Sequence, residues 1–418
     1  MTYYDINGIA VPIGTGGGVS AKPNFLPYEN SIDTSDKSSL CLCGIKTDIV
    51  SNKIPFASGY LFHKLGSTDK SLYYGNTLRS AEKIGELSFD PKAYMFAISP
   101  TDGRVIMTTR GVRGAMKVWD GTNTTTLFSS ATTKPMGWLY NSGVDFIIDG
   151  NNVEHCIFAE YTGSTTDYGG FYVWRGTYPY TSESDWTTVF HMDQGYAQPS
   201  STNITHFHQV RRDPWTNILY LTSGDQPLQL KWWYSADYGE NWTLLTDNSN
   251  NGWEEHVARC INFAFTADYI YWAVDHGTNH SLNKVSRNAQ TGIIDPSTRA
   301  KLADLPFGQA TNTVCYVENP KGLFLFERID SGNEYSQLYG TGIHHQFWSL
   351  ESNELVDAGY LGLTNNSWGG HRGKCYTNYT NGQEPHPAMG FSVDTPCVFD
   401  IIGASDGLGT IFYNMDIA

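Results

Sequence analysis

The sequence predicts an all-β fold, a β-propeller of six or seven blades, and seven is the favoured count. One unit of short strands and turns recurs at roughly 45–55 residues, the repeat length of propeller blades. The composition, with 42 glycines, 14% aromatic and 17% charged residues, is typical of turn-rich strands rather than helices. A tight Asp-Gly hairpin at residues 234–242 is the third observation. A β-sandwich or a β-helix is the alternative architecture.

The clearest copy of the repeat spans residues 205–242. An apolar inner strand at 205–210 is followed by a turn at Asp213-Pro214, and a second strand at 218–222 leads to Gly224 and Asp225. The hairpin closes the copy. Other copies are expected to begin near residues 93, 136, 259 and 313, with a first blade at about 39–90 and a last one at about 358–418. We therefore expect one propeller over residues 25–418.

The hairpin reads Tyr234-Ser-Ala-Asp237-Tyr-Gly239-Glu-Asn-Trp242. The Asp237 carboxylate can accept hydrogen bonds from turn amides, and Gly239 tolerates a positive φ. The ring of Trp242 can fill the groove beneath the turn. An ordinary Asp-Gly hairpin is the alternative interpretation.

Residues 1–24 differ from the rest of the chain. A short strand pair and the glycine-rich stretch Gly14-Thr-Gly-Gly-Gly18 predict an attachment arm with a flexible hinge. This opening resembles those of tail-associated proteins of gut-bacterial phages, which implies attachment to a virion or cell surface. The first residues lack a basic and an apolar region, and no apolar run reaches membrane-spanning length, so we expect neither a signal peptide nor a transmembrane segment. We expect an extracellular or virion-associated protein that does not insert into a membrane.

Charge and cysteine content narrow the function classes. The net charge of −15 argues against nucleic acid as a partner, because backbone binding needs a basic face. It leaves an anionic substrate open, since a few arginines in a pocket dominate locally. Cys156, Cys260 and Cys315 lie in apolar strand-like runs and are expected to be buried free thiols.

The candidate site follows from propeller topology. Inner strands start, and second strands end, at the same mouth of the channel, which is a usual ligand site. This rule collects ionisable residues from several blades, expected to contact substrate: Arg110, Glu160, Tyr161, His206, His208, Asp225, Arg259, Asp275, His276, Glu327 and Arg328.

The His206-x-His208 pair is the sharpest element, because period-two alternation places both imidazoles on one face of the strand. Three interpretations compete. The pair could transfer protons near neutral pH. It could hold a divalent metal with a third ligand such as His256 or His276. Alternatively, both rings hydrogen-bond neighbouring blades.

Arginines at 110, 259 and 328 come from three predicted blades. Their fork geometry suits a carboxylate or sulfate ligand. Structural ion pairs with Glu160, Glu327 or Asp225 are the alternative.

The hairpin and the repeats resemble the sialidase-like superfamily of Asp-box, or BNR, propellers. The resemblance implies that the hairpin is a structural outer turn away from the chemistry. No Arg-Ile-Pro segment occurs, so we do not expect sialidase activity. Residues 206–225 resemble blades of propeller polysaccharide lyases. That resemblance implies His206 or His208 as the base, Tyr161 as the acid, and Arg259 as the group that neutralises a uronate carboxylate.

The sequence therefore predicts an enzyme that cleaves an acidic poly- or oligosaccharide, as a polysaccharide lyase or next as a glycoside hydrolase. We expect it to require no cofactor, with a divalent metal at His206 and His208 as the alternative. A non-catalytic glycan- or receptor-binding protein, such as a phage tail component, is the rival from a different class.

Overall fold

The computed structural model describes the following residues: 3–6, 9–12, 23–27, 40–46, 59–64, 71–75, 82–86, 96–108, 116–128, 135, 137, 143–162, 168–247, 253, 256–276, 280–305, 310–318, 321–329, 342–362, 375–376, 397–400 and 410–417. In the strands before residue 97 and after residue 305 the description is mainly of the backbone.

The described strands form antiparallel sheets that succeed one another along the chain. Strands β1 (Tyr3–Ile6) and β2 (Ile9–Pro12) pair with each other, and β3 is Pro23–Pro27. The first sheet contains β4 (Leu40–Lys46), β5 (Gly59–Lys64), β6 (Ser71–Gly75) and β7 (Glu82–Glu86). The second contains β8 (Phe96–Ile98), β9 (Val105–Met107), β10 (Lys117–Trp119) and β11 (Thr124–Thr126).

In the middle of the chain, successive strands form the third, fourth and fifth sheets. The third sheet contains β12 (Val144–Ile148), β13 (Glu154–Ala159), β14 (Phe171–Thr177), β15 (Trp186–Gln194) and the short parallel β16 (Asn203–Ile204). The fourth contains β17 (His206–Arg212), β18 (Leu219–Gly224), β19 (Lys231–Ser235) and β20 (Thr243–Asp247). The fifth contains β21 (Ala264–Phe265), β22 (Tyr269–Ala273), β23 (Ser281–Ser286) and β24 (Ala300–Asp304).

The last sheets complete the series. The sixth contains β25 (Ala310–Glu318), β26 (Lys321–Ile329), β27 (Gly342–Ser349) and β28 (Glu354–Gly362). The seventh contains β29 (Cys375–Tyr376), β30 (Cys397–Asp400) and β31 (Thr410–Ile417), with β3 as its outer strand. The described helices are three single 3-10 turns, Glu183–Asp185, Pro227–Gln229 and Pro296–Thr298. Among the described residues, no helix has the length and apolar character needed to cross a bilayer.

The arrangement is that of a β-propeller, so the predicted fold class is confirmed. First strands of neighbouring sheets lie against each other, as β12 and β17 or β21 and β25 do. Near the amino terminus, β3 pairs with β31 from the last sheet, which joins the two ends of the chain. The blade count of the closed ring stays a prediction, as does the division at residue 24, a position inside β3. The strand pair expected in the first 24 residues is β1–β2, and its role in attachment stays a prediction.

A cluster of aromatic rings fills the space between the fourth and fifth sheets. Trp232, Trp253 and Trp272 are fully buried, with ring centroids 4.7 to 5.1 Å apart. Each indole N–H donates to a backbone carbonyl, so no buried polar group in these rings is left unpaired. The thiols of Cys156 and Cys260 are buried and free, as predicted, while the Cys315 side chain lies outside the described residues.

The copy of the repeat predicted to begin near residue 259 has its first strand later, at Ala264–Phe265. The carbonyls just before it are occupied by side chains of other strands: Trp272 Nε1 donates to Val257 O, Trp232 Nε1 to Ala258 O, and His208 Nδ1 lies 3.1 Å from Cys260 O. These carbonyls thus contact side chains of neighbouring strands in the segment that precedes β21. Similarly, the copy predicted to begin near residue 136 has its first strand at Val144–Ile148.

The Asp-Gly hairpin joins β19 to β20, the two outer strands of the fourth sheet, and is built as predicted. Asp237 accepts hydrogen bonds from Ser235 Oγ, Asn241 N and Asn241 Nδ2 at 2.7 to 2.9 Å. Gly239 has a φ of +86°, and an added Cβ would lie 2.7 Å from Ile157 of the third sheet. Trp242 packs against the buried cluster beneath the turn. Arg175 Nε, also from the third sheet, donates to Tyr238 O at 3.0 Å. The hairpin therefore links the fourth sheet to the third.

Asp237→Ala should lower the free energy of unfolding by roughly 1–2 kcal/mol, because three hydrogen bonds at the turn are lost. Partial burial opposes ionisation of Asp237, but the bonds from Asn241 and Ser235 outweigh it and lower its pKa. Stability from such a lowered pKa is present at neutral pH and lost as the pH falls through it, so the difference between parent and variant should shrink in acid. Urea denaturation at two pH values measures this.

The matched control is Asp193→Ala, which removes a carboxylate whose side chain is 76% exposed. We expect a change within about 0.5 kcal/mol there. Equal losses at both positions would contradict the structural role assigned to the Asp237 hairpin.

Candidate functional site

Five of the predicted site residues meet at one end of two neighbouring sheets. His206 and His208 lie at the start of β17, and Asp225 follows the end of β18 directly. Arg259 precedes β21, and Asp275 follows β22. Antiparallel neighbours start and end at the same edge of a sheet, which is why these positions converge. We call these five residues the His–Asp–Arg cluster.

The two imidazoles converge through a β-bulge. The register between β17 and β18 shifts between Phe207 and Gln209, which makes His208 the extra residue. His206 Nε2 and His208 Nε2 are 3.1 Å apart. On β18, a Cβ added at Gly224 would lie 2.1 Å from His208 Cε1, so only glycine leaves room for this ring.

Each ring nitrogen Nδ1 faces a backbone carbonyl. His206 Nδ1 lies 3.0 Å from Thr162 O, which follows β13 of the third sheet, and His208 Nδ1 lies 3.1 Å from Cys260 O, which precedes β21 of the fifth. A carbonyl oxygen can only accept, so each Nδ1 carries the proton. In the neutral rings both Nε2 atoms then present lone pairs to each other.

The Asp225 carboxylate completes this convergence. Its Oδ1 lies 3.2 Å from His208 Nε2, and its Oδ2 lies 3.3 Å from His206 Nε2. The two histidines are 4% and 2% exposed, whereas the Asp225 side chain is 26% exposed. Burial lowers the pKa of His206, which favours its neutral form at neutral pH. In the metal-binding interpretation of the sequence, His256 or His276 was the example given of a third ligand. The signal that it missed is the strand register, which places Gly224 opposite His206 and Asp225 just beyond.

Arg259 links this carboxylate to a second one. Its Nη2 lies 3.0 Å from Asp225 Oδ1 and its Nε lies 3.4 Å from Asp275 Oδ2. The guanidinium side chain is 21% exposed, and that of Asp275 is 10% exposed. The ion-pair interpretation of Arg259 is thus realised, with Asp275 as an additional partner. With neutral imidazoles, two carboxylates against one guanidinium leave one net negative charge.

Two further histidines lie beside the cluster. The rings of His256 and His276 stack with centroids 3.4 Å apart and planes 8° from parallel. Burial, together with the positive charges that His256 and Arg259 contribute, lowers the pKa of His276 to about 4. His276 is therefore a neutral ring at ordinary pH, next to Asp275 and only partly buried.

Tyr161 and Glu160 point in different directions, as strand alternation predicts. The Tyr161 ring packs on His206 with centroids 4.2 Å apart and is 5% exposed. Glu160 is fully buried and accepts hydrogen bonds from Trp174 Nε1 at 2.9 Å and Tyr172 N at 3.1 Å. These bonds hold the Glu160 carboxylate within its own sheet. Its predicted contact with substrate stays a prediction.

For three of the predicted site residues, the side chains lie outside what the structure describes. Arg110 lies outside the described residues. Glu327 and Arg328 lie in β26, where the backbone of Glu327 pairs with Thr311 and that of Arg328 with Ala310. Their side chains are outside the described part of the chain.

No protein-family model matches the sequence, and no similar sequence is found among curated proteins. Solved structures with some similarity include a prolyl endopeptidase, at 13% identity and a TM-score of 0.45 over 90% of this chain and 51% of that one. Another is oligogalacturonate lyase from Vibrio parahaemolyticus, at 10% identity and a TM-score of 0.49 over 95% of this chain and 97% of that one. A third is a family 117 glycoside hydrolase from Zobellia galactanivorans, at 13% identity and a TM-score of 0.36 over 66% of this chain and 84% of that one. This chain spans about half the length of the prolyl endopeptidase. At these TM-scores the likeness says nothing about activity, and membership of the BNR family stays a prediction.

Gly224→Ala should displace the His208 ring, because the new methyl group would overlap it. Overpacking of this kind costs roughly 1–3 kcal/mol of unfolding free energy, measured by urea denaturation. The control Gly150→Ala, where the nearest heavy atom to an added Cβ is 3.4 Å away, should change stability by less than about 0.5 kcal/mol. Parent-like stability in Gly224→Ala would show that the ring is not held where the structure places it.

Proposed function

We propose that this chain cleaves an extracellular acidic polysaccharide at the His–Asp–Arg cluster, by β-elimination in the first instance. The observation that carries the proposal is the convergence of two carboxylates, a guanidinium and two imidazoles at one end of neighbouring sheets. Asp225 and Arg259 are partly open to solvent there. Ligand sites in folded proteins are concave regions with a few convergent polar groups, and a propeller mouth is such a region.

Arg259 is the group proposed to contact the uronate carboxylate, since its planar fork matches two carboxylate oxygens. Neutralising that carboxylate acidifies the proton on the adjacent carbon. Removal of this proton and departure of the glycosidic oxygen leave a carbon–carbon double bond in the sugar.

The proton acceptor in this proposal is His276 rather than His206 or His208. Both members of the His pair are buried, and their four ring nitrogens face the carbonyls, each other or Asp225. His276 is only partly buried and, with a pKa of about 4, is neutral and able to accept a proton. Tyr161 remains the proposed acid, on the resemblance to propeller lyases alone.

Glycoside hydrolysis is the second candidate, and a specific observation favours it. Asp225 and Asp275 lie on either side of Arg259. A pair of carboxylates is the usual equipment for glycoside hydrolysis, one as acid and the other as base or nucleophile.

A panel of acidic and neutral polysaccharides distinguishes these reactions. Elimination produces an unsaturated uronate that absorbs in the ultraviolet, together with a new reducing end. Hydrolysis produces the reducing end alone. Binding without turnover would favour the glycan- or receptor-binding rival, and neither binding nor turnover across the panel would contradict the proposal. In the same assay, His276→Ala should lower turnover by roughly 10²-fold if the ring accepts the proton.

Arg259→Lys should reduce turnover on the acidic polysaccharide by roughly 10²-fold, because lysine keeps the charge but loses the fork. The melting temperature should stay within a few degrees, since a cation remains between Asp225 and Asp275. The matched control is Arg212→Lys, at the opposite end of β17, where the guanidinium bonds Asn217. Unchanged turnover in Arg259→Lys would exclude Arg259 as the carboxylate ligand.

A further inference from the structure

The buried side of the His–Asp–Arg cluster brings together three electron-pair donors, two imidazoles and one carboxylate. His206 Nε2, His208 Nε2 and an Asp225 oxygen all lie within 4.8 Å of one another. Both Nδ1 atoms donate their protons to carbonyls, so the atom that each ring turns toward the carboxylate is Nε2, the nitrogen that can bind a cation. Lone pairs 3.1 to 3.3 Å apart repel unless a positive charge lies between them.

We propose that His206, His208 and Asp225 bind one divalent transition-metal ion of the zinc or manganese type. Imidazole and carboxylate together suit these ions, whereas oxygen-only sites suit calcium and magnesium. The ring orientation fits as well. Metal-bound histidines typically donate their other N–H to a carbonyl or carboxylate, which fixes the tautomer, and both rings do so here.

The alternative occupant is a single proton shared among the three groups. It would sit on one Nε2 and donate to the other ring or to Asp225. The bulge at His208 and the missing Cβ at Gly224 bring both rings together on one side of Asp225, an arrangement that one shared proton does not require. Three donor atoms that converge on one point, two from β17 and one from the residue after β18, are an arrangement that suits a metal ion.

A bound divalent cation would also reverse the charge of the cluster. Asp225 and Asp275 outweigh Arg259 by one negative charge, which would repel a uronate. With the cation, the same groups carry one net positive charge. This consequence rests on the proposed function, whereas metal binding itself does not.

The test is a calorimetric titration of the full chain with zinc and then manganese chloride, after exhaustive treatment with EDTA and removal of the chelator. We expect binding of one ion per chain for at least one of the two metals. The melting temperature should rise on addition of that metal, because an ion that binds only the folded state stabilises it.

His208→Ala and Asp225→Asn should each weaken this binding by more than about 100-fold, beyond what loss of a supporting residue costs. Asp225→Asn is nearly isosteric, so it serves if the histidine variant does not fold. The control is His155→Ala, which removes another buried histidine that contacts a carboxylate, Asp149 at 3.2 Å, but belongs to no converging group of three ligand side chains among the described residues.

The absence of stoichiometric binding by the folded parent would overturn the inference. So would binding that is unchanged in both variants, since the ion would then lie elsewhere. Because the titration contains no substrate, either result leaves the polysaccharide panel to decide the proposed function separately.

Discussion

The hydrogen bonds from the two Nδ1 atoms of β17 are the interaction on which the site depends. One goes to Thr162 O in the preceding sheet and the other to Cys260 O in the following sheet. The pair therefore links three consecutive sheets at one end of the strands and also fixes the tautomer of both rings. Both Nε2 atoms are turned toward Asp225 as a result. Each ring thus has a structural role and a role in the site. A ring that turned away from its carbonyl would also turn its Nε2 away from Asp225.

The fourth and fifth sheets are joined at the opposite end of their strands by a buried ion pair. Arg287, after β23, donates through Nε to Asp213 Oδ2 at 2.9 Å, and both side chains are fully buried. Removing one partner of such a pair costs about 3–5 kcal/mol, since a charge is left unpaired in a dry interior. Between the two ends lies the cluster of Trp232, Trp253 and Trp272. The fourth and fifth sheets are therefore joined at both ends of their strands. Such support suits a site whose donor atoms must stay within tenths of an ångström of their working positions.

Much of this arrangement could be predicted from sequence. The alternation of apolar residues and the turn signals identified the strands of the fourth sheet. The rule on strand ends grouped His206, Asp225, Arg259 and Asp275, which lie close together in the structure, while their roles stay predictions. Local sequence could not foresee what depends on neighbouring sheets. The first strand of the fifth sheet is limited to Ala264–Phe265, and tryptophan and histidine side chains from other strands contact the carbonyls that precede it. The bulge that turns His208 inward likewise depends on room that Gly224 leaves.

The central claim is that both rings of the His pair hold their protons on Nδ1 and offer Nε2 as a lone-pair donor. Long-range proton–nitrogen NMR on histidine-labelled protein, assigned with His206→Ala and His208→Ala, measures this directly. Both rings should show a protonated Nδ1. An unprotonated Nδ1 on either ring would contradict the account, because the hydrogen bond to Thr162 O or Cys260 O would then not exist.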